Sequence, residues 1–297
     1  MNRLRWLLVF LLFSIPVAGQ DRNPADYERY LIPVLTGPPL PGAYGAQWQT
    51  TLWLRNDGAT TLDAFPLTPD CISSASCFQQ VRPAPAFQPQ QTGWHVLPYV
   101  RPFGVGGGLG LSGIFLYVER SRAEQLSMRL AVGDVSRTPP GSTQIPIVPE
   151  SEFLASTRSI LGVPVGPATR VALRIYTADA RAGAEVNVRI YEMAPRLIQN
   201  VPYIDPAVMI GERTFTFAYD EGQDQCGRVG CDESLRYLPG IVQINNILDA
   251  FPELATAREQ PFGVRIEIEP ATPDLHYWPL VTATRDVDGF VSVFTVR

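Results

Sequence analysis

The chain contains no lysine: all 24 of its basic residues are arginine. That removes a Schiff-base amine, a lysine general base and the lysine of a phosphate-binding loop. Histidine is nearly as scarce. His95 and His276 are the two imidazoles of 297 residues and fall in opposite halves of the chain. His95 lies inside the strand-like Trp94-His95-Val96, where a histidine reads as a strand residue rather than a catalyst. Charged residues of either sign make up 18%, the formal net charge is −5, and the arginines are scattered rather than grouped. A nucleic-acid footprint is a basic stripe, and this pattern excludes one. Beyond the first twenty residues no apolar run approaches the roughly 20 residues that cross a bilayer.

What is present begins with an export-like start. Arg3 and Arg5 precede an apolar run from Trp6 to Phe13, then Ser14-Ile15-Pro16 and the small-residue exit Val17-Ala18-Gly19-Gln20. This order reads as a signal peptide over residues 1–20. It predicts a mature chain that starts near Gln20 or Asp21, is not inserted in a membrane, and resides in the periplasm or outside the cell. Cys71/Cys77 and Cys226/Cys231 form two close pairs. In an exported chain they read as two local disulfides, while a four-thiolate zinc site fits their spacing less well. Hydrophobic residues reach 45%, with 28 prolines and 24 glycines. That composition suits short strands joined by tight turns, an all-β fold.

Self-similarity organises the rest. Tyr30 to Val34, the alternating Thr50 to Arg55, the turn Asn56-Asp57-Gly58 and Thr60 to Phe65 are matched in order by Ile160 to Val165, Arg170 to Tyr176, a turn around Gly183 and Glu185 to Tyr191. The match continues through the cysteine pairs and through Val96-Leu97-Pro98 with Tyr237-Leu238-Pro239. It then pairs Gly113 to Glu119 with Gly263 to Glu269, and ends in two closing strand pairs. Period-two alternation buries one face and wets the other. The prediction is two consecutive antiparallel, immunoglobulin-like β-sandwich units related by duplication, residues 26–149 and 150–297. The segment Asn246 to Phe251, capped by Asn245, predicts a turn or two of helix before Pro252, and Glu150 to Ala155 another.

Leu31-Ile32-Pro33-Val34, the strand Gln47 to Asn56 with its W-x-T-x-L-x-L-x-N pattern, and Gly113 to Glu119 resemble a recurring pattern in uncharacterised exported β-sandwich proteins. These come from Gram-negative environmental bacteria, acidobacteria among them. Leu238 to Leu248 and Val281 to Gly289 are similar to the link and the closing strand and turn of that group, although Arg285-Asp286-Val287-Asp288 departs from its usual Asp-Asn turn. The resemblance covers most of the mature chain. It implies a secreted or cell-surface sandwich, with no catalytic residues to carry over.

Several chemistries can be weighed against these residues. Leu109-Gly110-Leu111-Ser112-Gly113 does not make a nucleophile elbow. A glycosidase needs two facing carboxylates; Glu119, Asp134, Glu267 and Glu269 are available, but Glu267 and Glu269 alternate beside Arg265, the pattern of a solvated sheet face. Asp220, Glu221, Asp224, Asp232 and Glu233 gather acids around the second cysteine pair, and Asp286 and Asp288 share a turn. These are candidate calcium ligands without the twelve-residue loop pattern, and no other cofactor is expected. Trp48, Trp94 and Trp278 could form an aromatic platform for a glycan or protein, although packing weighs more heavily for the tryptophans, Trp53 included. The sequence therefore predicts a non-catalytic structural, adhesion or binding module with an unknown protein or glycan partner. The alternative is a carbohydrate-binding or, less favoured, carbohydrate-cleaving protein.

Overall fold

Every second residue of Gln47 to Asn56 is sealed from solvent from Thr50 onward, the burial signature of a strand with one covered face. The computed structural model describes residues 24–34, 39–62, 64–66, 92–94, 113–137, 141–178, 183–193, 195–198, 201–204, 208–218, 239–255 and 262–296. Cys71, Cys77, Cys226 and Cys231 all lie outside the described residues, so neither expected disulfide, Cys71–Cys77 or Cys226–Cys231, is among the bonds of the described structure. His95, the acids Asp220, Glu221, Asp224, Asp232 and Glu233, and the amino-terminal segment 1–20 lie outside it too.

The first half contributes β1 (Tyr27–Ile32), β2 (Leu40–Pro41), β3 (Gln47–Asn56), β4 (Ala64–Pro66), β5 (Thr92–Trp94), β6 (Ile114–Glu119), β7 (Leu126–Asp134), β8 (Ser142–Ile145) and β9 (Val148–Pro149). The second half adds β10 (Arg158–Val165), β11 (Thr169–Thr177), β12 (Glu185–Met193), β13 (Pro195–Ile198), β14 (Val201–Ile204), β15 (Val208–Thr216), β16 (Gly240–Ile244), β17 (Phe262–Pro270), β18 (Tyr277–Arg285) and β19 (Val291–Thr295). The protein is all-β, built from open antiparallel sheets packed as sandwiches. Sheets of order β4-β6-β1-β9 and β2-β3-β7-β8, the latter with β5 also on β3, make the first half. Sheets β10-β17-β12-β15 and β16-β11-β18-β19 make the second, beside a separate β13-β14 hairpin.

Both halves follow one wiring. β6 lies between β4 and β1 as β17 lies between β12 and β10, and β7 lies between β3 and β8 as β18 lies between β11 and β19. These are the equivalences that the internal similarity predicts. The halves differ at their edges, where β9 extends the first sheet beyond β1 and β15 extends the second beyond β12.

Among the described residues helix is limited to short connectors. Asn246, not Asn245, caps the turn Ile247–Ala250: its backbone is extended and its side chain accepts from Leu248 N. The cap falls one residue later than the sequence suggests because Asn245 makes the bend that follows the strand, its backbone carbonyl accepting from Arg170. Glu150–Glu152 forms a single tight turn.

Two apolar cores result, and they are not separate. The second holds Ile160, Val171, Leu173, Ile175, Val188, Ile190, Ile266 and Val281. The first gathers Leu31, Leu52, Leu54, Phe115, Leu116 and Leu130, but also Tyr176, Ala178, Trp278 and Leu280 from the other half. Phe153 belongs to the first core, its ring tilted against that of Phe115 at 6.3 Å, while the next residue, Leu154, packs against the second. The β16-β11-β18-β19 sheet is thus covered on both faces over part of its extent.

Candidate functional site

Strand parity determines what the seam contains. On β11, Val171, Leu173 and Ile175 point into the second core, so Arg170, Ala172, Arg174 and Tyr176 share the opposite face. Register places Trp278, Leu280, Thr282 and Thr284 of β18 beside them. At one end this face is apolar and sealed. Tyr176 is fully buried, its ring 6.2 Å from that of Trp278, and its hydroxyl donates to the Pro33 carbonyl at 2.6 Å. Burial pushes the Tyr176 phenol well above its ordinary value, against the opposing influence of Arg174.

Toward the other end the same face turns polar, and the halves part around a cavity of about 150 Å³. From the first half, Trp48, Val132 and Ile145 line it; from the second come Arg170, Arg174, Thr282 and Thr284. Arg174 is only 8% exposed, and its Nε is buried with no hydrogen-bond partner. Arg170 closes one side, its Nε donating to the Asn245 carbonyl at 3.0 Å. No carboxylate is among the described residues lining the cavity.

A clasp beside the cavity holds the halves in register. Thr143 Oγ1 donates to the Val291 carbonyl at 2.8 Å, and Arg137 donates through Nη1 to the Asp288 carbonyl. Arg137 is aimed by the buried Asp134, to which its Nε donates at 2.9 Å. Burial alone would raise the Asp134 carboxyl. The Ser136 hydroxyl, the backbone N–H groups of Gln47 and Ser136 and the Arg137 guanidinium outweigh that effect and lower its pKa to about 2. Gly289 gives the turn its φ of +61°, and a Cβ there would lie 2.6 Å from Arg137 Nη2, so a side chain would displace the Arg137 guanidinium.

The other residues singled out in the sequence are dispersed. Glu267 and Glu269 lie on the outward face of the β10-β17-β12-β15 sheet, where Arg189 engages Glu212 at 2.6 Å, Glu267 at 3.4 Å and Glu269 at 2.6 Å. Glu119 pairs with Arg122 at 3.5 Å. Asp288 accepts from Arg285 at 2.5 Å and from Phe290 N at 2.9 Å, so its carboxylate shapes the turn. Among the described residues no group of three His, Cys, Asp or Glu side chains could hold a metal ion. The candidate calcium ligands Asp220, Glu221, Asp224 and Asp232, with the neighbouring Cys226 and Cys231, fall outside those residues, as do Cys71 and Cys77. His276 is exposed at the entry to β18.

The tryptophans separate. Trp278 is 5% exposed and belongs to the first core, which corrects its reading as a ligand aromatic: the face it occupies is covered by the other half. Trp53 is half-buried on the outer face, with Arg129 5.1 Å above its ring, rather than in the core with Leu52 and Leu54. Trp94 lies opposite Trp53 in the strand register. Trp48 lines the cavity. Arg174 carries no signal in the sequence that separates it from a solvated strand arginine.

No family profile and no curated protein matches the chain. Among solved structures, a similarity to "Structure of infectious bursal disease virus Gx strain" spans 93% of this chain and 72% of that one, at 11% identity and a TM-score of 0.18. It carries no argument about fold or function.

Proposed function

We propose that the chain is an exported, non-catalytic binding module of the cell envelope or extracellular space, acting at the seam between its two sandwiches. The observation that carries this reading is the cavity between the halves, which holds a buried, incompletely satisfied guanidinium where a purely structural seam would be packed dry. The arginine-led apolar start with its small-residue exit supports export, as does the resemblance to exported sandwich proteins. The close spacing of Cys71 with Cys77 and of Cys226 with Cys231 suits an oxidising compartment. Glu119, Asp134, Glu267 and Glu269, the carboxylates that the sequence offered for hydrolysis, are each engaged by an arginine.

The test is to produce the whole chain in a Gram-negative host and follow the mass and location of the product. A periplasmic protein shortened by about the first twenty residues is expected. An unprocessed cytoplasmic product would overturn the export reading. Turnover of aryl glycosides or esters by the purified protein would overturn the non-catalytic one.

A further inference from the structure

We infer that the seam cavity binds a small monocarboxylate with an apolar body, its carboxylate received by Arg174 and flanked by Arg170. This deepens the reading of the seam as a binding site and rests on it. The premise is a charge that the fold leaves incompletely satisfied. A guanidinium stays protonated at any ordinary pH, so burial cannot neutralise it. Yet Arg174 is 8% exposed, its Nε lacks a partner, and it makes no ion pair among the described residues.

The contrast within the same half is direct. Arg189, more exposed, is supplied with three carboxylates, whereas the more deeply buried arginine has none. A buried guanidinium facing an open volume presents a planar fork that a carboxylate meets with two parallel hydrogen bonds. Arg170, Thr282 and Thr284 add further donors along the same wall. The opposing wall is Trp48, Val132 and Ile145, which suits hydrocarbon rather than the hydration shell of an inorganic oxyanion. Size narrows the class further, since a cavity near 150 Å³ accommodates a body of about six carbons, on the scale of benzene.

The protein for the test is the mature chain purified from the periplasm. Benzoate and hexanoate are compared with benzamide and hexanamide, and with inorganic phosphate, by thermal unfolding and calorimetry. The acids are expected to raise Tm by about 3 °C or more at saturation while their amides leave it unchanged. Arg174→Met is expected to weaken binding of the acids at least tenfold, with the free variant melting at or above the parent because an incompletely satisfied buried charge has been replaced by apolar volume. Arg174→Lys, which keeps the charge but loses the fork, falls between them.

The same carboxylate chemistry is borne by free acids and by the end of a peptide chain. Gly-Gly-Phe binding more tightly than hexanoate assigns the source to chain termini, and weaker binding assigns it to free acids. The proposal is overturned if no acid shifts the parent protein, if the amides act as strongly as the acids, if phosphate alone binds, or if free Arg174→Met melts far below the parent. The parent comparison of acid with amide needs no variant to fold. An exported chain that binds no acid sinks this proposal alone, whereas acid binding by a chain that is never exported sinks only the export reading.

Discussion

Arg-Ile-Tyr occurs twice in the second half, at Arg174 to Tyr176 on β11 and at Arg189 to Tyr191 on β12. In both strands the isoleucine is fully buried in the same core. The flanking residues then have opposite fates. Arg189 lies on an open face in a ladder of glutamates, and Tyr191 donates to Glu267 at 3.1 Å. Arg174 is shut beneath the first half with its Nε unmatched, and Tyr176 donates to a backbone carbonyl 143 residues away. Identical local chemistry fixes strand and parity in both places. What lies over the face decides whether the arginine is a surface ion pair or an interior charge.

This comparison can be broken at the shared residue first. Ile175→Ala and Ile190→Ala are each expected to cost about 2–5 kcal/mol, and by similar amounts, in chemical denaturation; strongly unequal losses would mean that the two strands do not share one core. The arginines should then diverge in sign. Arg174→Met is expected to leave stability unchanged or raise it by about 1–4 kcal/mol. Arg189→Met should lower it by about 0.5 kcal/mol, a difference that shrinks in high salt.

Arg137 supplies a third setting, a seam arginine held by one buried carboxylate. The Asp134 carboxyl sits at about 2 when folded, below its value near 4 in an unfolded chain. Its stabilisation is therefore complete above about pH 4 and is lost as pH falls toward 2, on the order of 2 kcal/mol in all. Asp134→Asn should flatten that part of a pH–stability curve. The smallest contrast is between the tyrosines. Tyr176→Phe strands the Pro33 carbonyl and should cost about 1–2 kcal/mol, whereas Tyr191→Phe, at a half-exposed site, should cost under about 0.5 kcal/mol.

Much of the wiring was legible because period-two burial is written residue by residue. Thr50 to Arg55, Arg170 to Tyr176 and Glu185 to Tyr191 all fall inside observed strands, and the closing pairs overlap β7, β8, β18 and β19, in the order that the internal similarity predicts. Parity, however, specifies a face and not its cover. That is why the sequence leaves Trp278 open between packing, which weighs more heavily, and a ligand platform, and why nothing in it marks Arg174 as buried. The first-half residues over Trp278 lie more than a hundred positions upstream, and Val132 and Ile145 opposite Arg174 lie on other strands, beyond the reach of any local pattern. Of the candidate site, only Trp48 was singled out in advance.

The sharing of Trp278 and Leu280 by the first core has a consequence for how the molecule is made. A chain emerging amino-terminus first displays Leu31, Phe115 and Leu130 long before the residues that seal them have been synthesised. The first half cannot reach its final packing as an independent early unit; it must wait for β18, and both halves then lock together late. A chain cut short before Tyr277 would strip strands from one sandwich and leave the other open along the same seam.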